Sequence, residues 1–159
     1  MLLHEVVKVL QQTHHPDLHK AATVIIQQHG ATPAFQNALM AVLLHGAQNN
    51  VPIDVRQSAA LVVKNNIRRS PPQQRAMVKR LSVHLLGEVD AKIRRLAGTM
   101  IAHIVKTEGI DAWPELAPTL VANLRNTKNV AAAAGSLETL FKVRPLFWCC
   151  AVFWRLAGD

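Results

Sequence analysis

The stretch that decides the fold is DVRQSAALVVKNNIRR, residues 54–69. Small and apolar side chains recur along it every three or four positions, which is the period of one face of an α-helix. These positions are Val55, Ala59, Val62 and Val63, with Asn66 next in register. The opposite face carries Gln57, Leu61, Lys64 and Arg68. The stretch therefore predicts a helix with one buried face and one exposed face.

The composition of the 159-residue chain favours helices throughout. Half of the residues are hydrophobic, tyrosine is absent, and aromatic residues make up only 4%. Alanine, leucine, glutamine, lysine and arginine are strong helix formers, and no long alternation of polar and apolar positions predicts a strand. The chain is long enough for one compact domain with a real core. We therefore expect an all-α protein.

The charge balance is strongly basic, with 18 lysines and arginines against 10 acidic residues and a net charge of +8. Such a balance suits an acidic partner, which is a nucleic acid, an acidic protein or an anionic lipid surface. The two cysteines, Cys149 and Cys150, are adjacent and make no disulfide framework, so we expect a reducing compartment. The sequence shows no secretory signal and no apolar run long enough to cross a membrane.

Turn and capping residues divide the chain into about eight helices joined by short connections. Helices are expected to stop at His14–Pro16, Gly30, Gln48–Asn50, Gly87 and Gly109. Aspartates are expected to begin three of them, at Asp17, Asp90 and Asp111. Pro118 is expected to bend the seventh helix.

The helices repeat. Four alanines recur at spacings of 37, 38 and 37 residues: Ala22, Ala59, Ala97 and Ala134. Larger apolar residues precede them by four positions, at Leu18, Val55, Ile93 and Val130, and follow them by three, at Ile25, Val62, Met100 and Leu137. Arginine follows the apolar residue in two repeats, as Val55-Arg56 and Ile93-Arg94.

A period near 40 residues with two helices in each unit is typical of HEAT or armadillo solenoids, in which stacked helical pairs share one core. The predicted fold is thus an α-α superhelix of about four helical hairpins, covering roughly residues 1–30, 31–69, 70–109 and 110–143. The alternative is a generic helical bundle in which the spacing is accidental.

Two motifs carry a resemblance to a known family. The first is RQSAALVVKNN, residues 56–66, with its pair Lys64-Asn65. The second is IRRLAGTMIAHIVKTEGIDAWPELAPTLVANL, residues 93–124, with the pattern Trp113-Pro114-x-Leu116-x-Pro118-x-Leu120. Over about residues 2–143, the chain resembles the N-terminal HEAT repeats of the importin-β superfamily, and most of all its transportin (karyopherin-β2) branch.

The resemblance implies a function in transport between cytoplasm and nucleus through nuclear pores. In this family the small GTPase Ran, in its GTP form, binds the inner face of the N-terminal repeats, which the second helix of each repeat lines. Cargo proteins and nucleoporins bind later repeats, which this sequence does not include, so the chain is expected not to be a complete receptor. Nothing in the pattern suggests catalysis, and we expect a non-enzyme without a cofactor.

Helical geometry indicates which residues of those second helices point outward. At about 100° per residue, the positions opposite the buried alanines form an exposed stripe. It comprises Lys20, Val24 and Gln27, then Gln57, Leu61, Lys64 and Arg68, then Arg95, Thr99 and Lys106, and finally Ala132, Ser136 and Thr139. Apolar residues inside a charged stripe suit a protein interface, although a merely solvated face is the alternative. The predicted Ran-binding residues are Lys20, Gln27, Gln57, Leu61, Lys64, Asn65, Arg68, Arg95 and Lys106.

Other candidate sites are weaker. His15 and His19 have a metal-chelating spacing, but Pro16 separates them and no third ligand is evident, so no metal site is predicted. Trp113 precedes Leu116 and Leu120 and is expected in the core. A nucleic-acid-binding solenoid is supported by the charge, yet the stripe lacks aromatic residues on which bases could stack. A repeat scaffold without a GTPase partner is the third alternative.

The last sixteen residues, RPLFWCCAVFWRLAGD at 144–159, do not match the family. They concentrate both cysteines and two of the three tryptophans. We expect this apolar tail either to cover the open end of the last repeat or to associate with a second copy through residues 145–159.

Overall fold

The computed structural model describes residues 3–147, without the side chains of residues 146 and 147. This part of the chain contains α-helices and short 3-10 helices and no strand, which confirms the predicted all-α class. The α-helices are α1 (Leu3–Gln12), α2 (His19–His29), α3 (Pro33–His45), α4 (Ile53–Asn66), α5 (Pro72–His84), α6 (Ala91–Glu108), α7 (Leu116–Arg125) and α8 (Val130–Phe147). The 3-10 helices Ile67–Arg69 and Leu85–Gly87 follow α4 and α5. Every helix here is too short or too polar to span a lipid bilayer.

The chain divides into two compact units, of which the first ends at Leu81. In this unit α1 packs against α2, α3 and α4, and α3 packs along α4. The core between these helices is built from large apolar side chains that are almost fully buried: Leu10, Phe35, Leu39, Leu43, Val63 and Ile67. The apolar period of the stretch 54–69 is therefore confirmed as the buried face of α4.

The second unit begins at Ser82. Here α8 packs against α6, against α7 and against the 3-10 helix Leu85–Gly87. Its core includes Ile93, Ile101, Ile104, Leu116, Leu120 and Val143. Trp113 is buried with them, which confirms its predicted place in the core.

Two of the three aspartates expected to begin helices do not do so. Asp90 caps α6 as predicted, because its Oδ1 accepts from the backbone N–H of Lys92 at 2.7 Å. In contrast, α2 begins at His19 with Leu18 as its N-cap residue, and α7 begins only at Leu116. Since Pro118 then lies in the first turn of α7, where its missing N–H is tolerated, the expected bend has no cause.

The register of α8 differs from the predicted one. The residues Ala132, Ser136, Thr139 and Val143 are buried, although the first three were expected to be exposed. Val130 and Leu137, expected to be buried, are 74% and 48% exposed. The buried register lies two positions later than the alanine alignment, which rotates the helix by about 200°.

The rotation of α8 differs from the predicted one because the helix begins with an alanine tract and because two of its hydroxyl groups form hydrogen bonds in the core. Residues 131–134 are all alanine, so apolarity alone does not choose a face. The buried hydroxyl of Ser136 accepts from Asn123 Nδ2 at 3.1 Å, and Thr139 Oγ1 donates to the Gly135 carbonyl at 2.7 Å. A hydrogen-bonded hydroxyl is tolerated in a core, and the fourth repeat is therefore aligned on Ser136 rather than on Ala134.

The repeat boundaries themselves stay predictions. The proposed boundary between residues 143 and 144 falls inside α8, which continues to Phe147. Residues 148–159, to which most of the predicted tail belongs, lie outside the described residues.

Candidate protein-binding surface

The predicted binding residues of the first unit lie on α2, on α4 and on the 3-10 helix that follows α4. We call them the unit-1 surface: Lys20, Gln27, Gln57, Leu61, Lys64, Asn65 and Arg68. Gln57 and Lys64 are half-buried, and the other five are exposed. The helical period therefore predicted the exposure of Lys20, Gln27, Leu61 and Arg68 correctly, whereas Gln57 and Lys64 are less exposed than expected. The role of all seven residues in binding stays a prediction.

The exposed face of α4 owes its position to the packing of the opposite face. Val55, Ala59 and Val63 are buried against the unit core and hold the helix in one rotation. Leu61 then points away from that core and is 42% exposed. A large apolar side chain between polar neighbours on an open face is a normal component of a protein interface.

The helices α2 and α4 meet at their C-terminal ends. Gly30, which ends α2, lies so close to α4 that a Cβ atom on it would stand 2.8 Å from Nδ2 of Asn66. The same Asn66 amide donates to the Val62 carbonyl at 2.9 Å. Near the start of α4, Ser58 Oγ lies 3.0 Å from Nε2 of His14, in the turn before α2. The C-terminal end of α2 therefore lies close to α4, and the turn before α2 contacts α4 through His14.

Arg68 lies in a 3-10 helix, whereas the other residues of the unit-1 surface lie in α-helices. It lies in the 3-10 helix Ile67–Arg69, which advances by about 120° per residue instead of 100°. Ser70 stops this helix, and its hydroxyl donates to the Asn66 carbonyl at 3.0 Å. The α-helical period from which Arg68 was placed in the stripe therefore ends at Asn66, although Arg68 is exposed as predicted.

Arg95 and Lys106 are the predicted binding residues of the second unit. Both are exposed on α6. Arg95 Nε lies 3.8 Å from Glu138 Oε1 on α8. Because the Arg95 side chain is largely exposed and that of Glu138 is partly exposed, this ion pair contributes little to stability, about 0–1 kcal/mol. The acidic neighbour does, however, reduce the positive potential around Arg95.

Lys142 of α8 forms hydrogen bonds with α6 near Arg95. Its Nζ donates to the Arg95 carbonyl at 2.6 Å and to Thr99 Oγ1 at 3.0 Å. Burial lowers the pKa of the Lys142 ammonium, with Glu138 opposing this shift and Arg95 adding to it. Because the unfolded chain then binds more protons than the folded chain just below pH 10.5, the Lys142 contribution to stability rises with pH in that window.

Three arginine side chains donate to the protein's own backbone. The buried Arg56 guanidinium donates from Nη2 to the Leu43 carbonyl in α3 at 2.9 Å. Arg94 donates from Nη1 to the carbonyls of Glu88 and Val89, which precede α6. Arg75 Nη1 likewise donates to the Ser70 carbonyl at 2.8 Å. The signal for two of these was present in the sequence, since Arg56 and Arg94 share a register in their repeats.

One member of the histidine pair, His19, contacts the chain's own backbone. His19 Nδ1 donates to the Thr13 carbonyl at 2.9 Å, which uses this ring to close the turn between α1 and α2. Within residues 3–147, no three histidine, cysteine or acidic side chains come together as metal ligands.

The chain is similar in sequence to proteins named transportin and importin. It is 29% identical to transportin of Dictyostelium discoideum over 114 residues, which are 69% of this chain and 12% of that protein. It is 26% identical to transportin-1 of Oryza sativa subsp. japonica over 122 residues, covering 74% of this chain and 13% of the relative. Importin subunit beta-2 of Schizosaccharomyces pombe is 25% identical over 129 residues, with coverages of 77% and 14%. No family model matches the chain.

A solved structure has the same fold. It shows the exportin Cse1 in its cargo-free, cytoplasmic state, with a TM-score of 0.73 and 20% sequence identity over 91% of this chain and 18% of the exportin. This likeness confirms the predicted α-helical repeat solenoid of the HEAT type. The chain spans only about one-eighth to one-seventh of the curated relatives named above. These similarities confirm the resemblance stated above: the chain is similar to proteins of the importin-β superfamily, with transportins among them.

Proposed function

We propose that this chain is the Ran-binding portion of a nuclear transport receptor that moves between cytoplasm and nucleus. The unit-1 surface is the proposed contact for Ran in its GTP form, and Arg95 and Lys106 of the second unit are proposed as further contacts. Cargo proteins and nucleoporins are proposed to bind parts of such a receptor that the similarity does not cover. The proposed activity is binding and release between proteins, without catalysis or a cofactor.

The observation that carries this proposal is the exposed face of α4. It places Leu61 between Gln57 and Lys64 on a helix whose other face is locked into the core. A rigid helix that presents an apolar side chain with cations beside it can bury the former and pair the latter with carboxylates of a partner. Since Arg56 and Arg75 donate to carbonyl groups of this chain, the first unit offers fewer cations to a partner than its composition suggests.

The test is a double charge reversal on this face. Lys64→Glu with Arg68→Glu is expected to weaken the binding of GTP-locked Ran by about tenfold or more, because like charges replace complementary ones. Binding is measured by calorimetry on the full chain, and circular dichroism checks that the helices persist. Both substituted side chains have solvent access, so the fold is expected to survive.

A matched control uses Arg125→Glu with Lys128→Glu, two exposed cations at and after the end of α7. This pair changes the net charge by the same amount outside the proposed surface. If both pairs weaken binding equally, the attraction is a general charge effect and the proposed surface is wrong. Unchanged binding in the Lys64 and Arg68 variant, with intact helices, contradicts the proposal as well.

A further inference from the structure

Positive charge is concentrated in one part of the first unit. Between Asp54 and Glu88 the chain carries several arginines and lysines and no acidic residue. A stretch of this kind creates a positive potential that attracts an anionic partner. The cations lie on α4, on the 3-10 helix that follows it and on α5: Arg56, Lys64, Arg68, Arg69, Arg75, Lys79 and Arg80.

Three of these cations point into solvent, and we call them the arginine surface: Arg68, Arg69 and Arg80. All three are exposed. Within the described residues they form no hydrogen bond through their side chains and no ion pair, whereas the guanidinium groups of Arg56 and Arg75 donate to carbonyl groups of the chain. The fold therefore uses two of its arginines internally and leaves the arginine surface to a partner.

The turn between α4 and α5, which carries two of the three arginines, is fixed by hydrogen bonds. Ser70 Oγ donates to the Asn66 carbonyl at 3.0 Å, and Arg75 Nη1 donates to the Ser70 carbonyl at 2.8 Å. Gln74 Nε2, in the first turn of α5, donates to Asn37 Oδ1 of α3 at 2.7 Å. Because this backbone is already held in place, it has little conformational freedom to lose when a partner binds.

The distance along the arginine surface sets the length of the segment that can bind it. Arg69 lies three residues before Pro72, the first residue of α5, and is therefore at most about 11 Å from it. Arg80 lies eight residues further along the helix, about 12 Å along its axis. The Cα atoms of Arg69 and Arg80 are thus no more than about 23 Å apart, which about seven residues of an extended peptide span.

The surroundings of the arginine surface favour carboxylates of a protein as its ligands. Guanidinium groups pair with carboxylates and with phosphates through two parallel hydrogen bonds. No phenylalanine, tryptophan or tyrosine occurs between residues 36 and 112, so the bases of a single-stranded nucleic acid have nothing to stack on. Of the described side chains between Leu61 and Val89, none that is large and apolar is exposed, so a lipid surface has no anchor to receive.

We propose that the arginine surface binds an acidic, extended segment of a partner protein. Carboxylates spread over about seven residues of that segment pair with Arg69 at one end and Arg80 at the other. The proposal stands independently of the proposed Ran contact, because Arg69 and Arg80 do not belong to the unit-1 surface and the test contains no Ran.

The probe is a fluorescein-labelled peptide of glutamates about eight residues long, and fluorescence anisotropy at about 150 mM salt follows its binding to the full-length chain. Arg69→Glu with Arg80→Glu is expected to weaken binding by about tenfold or more, because repulsion replaces two charge-assisted pairs. The control, Arg125→Glu with Lys128→Glu, changes the net charge equally at two other exposed cations and is expected to weaken binding by less than about threefold. Circular dichroism checks that the helices persist in both variants.

Equal losses in the two variants overturn the proposal, because the attraction is then a general effect of charge. Absence of peptide binding to the unaltered chain overturns it as well. The same titration with a labelled oligonucleotide, or with vesicles that contain phosphatidylserine, compares the other anionic partners. Tighter binding of either one, with the same loss in Arg69→Glu with Arg80→Glu, assigns the surface to that partner and contradicts the acidic protein segment.

A second measurement locates the peptide without reversing any charge. In the variant Arg69→Lys, a carbodiimide is expected to join the new amine to a glutamate of the bound peptide, and mass spectrometry identifies this link. Lys128, which is exposed outside the arginine surface, serves as the control within the same protein. A yield at position 69 that does not exceed the yield at Lys128 contradicts the proposed site.

Discussion

Arg56 shows how a single buried cation supports the first unit. It is 3% exposed, yet it belongs to the helix that carries most of the unit-1 surface. Its guanidinium reaches the Leu43 carbonyl near the end of α3, where the last carbonyl groups of a helix have no partner within the helix. Arg56 therefore connects the two helices of one hairpin and is unavailable to an external partner.

Replacement of Arg56 by methionine is expected to destabilise the chain. The Leu43 carbonyl then stays buried without this donor, which costs about 1–3 kcal/mol in the free energy of unfolding. Chemical denaturation followed by circular dichroism measures the change. Arg68→Met is the control, since Arg68 is exposed and its loss is expected to change stability by less than about 0.5 kcal/mol. Equal effects of the two substitutions contradict the assigned role of Arg56.

Gly135 is required by a close approach of two backbones. A Cβ atom at this position would lie 2.6 Å from the Leu86 carbonyl oxygen and 3.2 Å from the Leu86 Cα. Because both neighbours are backbone atoms, Gly135→Ala forces α8 away from Leu86 and is expected to cost about 1–3 kcal/mol, in spite of the better helix propensity of alanine.

Thermal denaturation of Gly135→Ala tests this cost against Gly87→Ala. A Cβ atom on Gly87 would meet its nearest neighbour at 3.5 Å, an ordinary contact. The melting temperature is expected to fall for Gly135→Ala and to remain within a few degrees for Gly87→Ala. An unchanged melting temperature for Gly135→Ala would show that the two backbones separate at no cost.

At the scale of helices, the sequence predicted the number and approximate bounds of the elements better than their rotation. The apolar period of α4 has one solution, because Val55 and Val63 are large and the opposite face is polar except for Leu61. In α8 the alanine tract 131–134 has no such preference, and the contacts of Ser136 and Thr139 with other helices decide the rotation. The start of α7 was missed for a related reason, since Asp111 can cap a helix locally but Trp113 and Leu116 are placed by the core.

The register of α8 can be tested with one matched pair of substitutions. Ser136→Glu places a carboxylate in the core and is expected to destabilise the unit by about 2 kcal/mol or more. Val130→Glu adds the same charge at an exposed helix start, where the helix dipole favours it, and is expected to have little effect. Denaturation curves give both values. The alanine alignment predicts the reverse order, so the larger loss in Val130→Glu would restore that alignment.

In the candidate site, too, helical periodicity determines which residues are exposed, and packing between helices determines which partners they contact. The exposure of Lys20, Leu61 and Arg95 follows from a helical period and was predicted. The ion pair of Arg95 with Glu138, and the use of Arg56 and Arg94 within the chain, depend on residues from other helices. Such contacts between distant positions have no signature in a single sequence.

At the scale of the whole molecule, the net charge of +8 is a poor guide to the partner. Arg56, Arg75, Arg94 and Lys142 all donate to backbone carbonyl groups. On the unit-1 surface, the uncharged residues Gln57, Leu61 and Asn65 lie among the cations. A surface of this mixed kind suits a protein partner better than a nucleic acid or another polyanion. The fold, the similarity to transportins and this mixed surface together support the proposed Ran contact.

The measurement that tests this proposal most directly is the affinity of the full-length chain for Ran locked in its GTP form, compared with the GDP form, by titration calorimetry. We predict binding to the GTP form that is at least about tenfold tighter, a difference of about 1.4 kcal/mol. Equal affinity for the two forms, or no binding to either while circular dichroism shows intact helices, would contradict the proposed function.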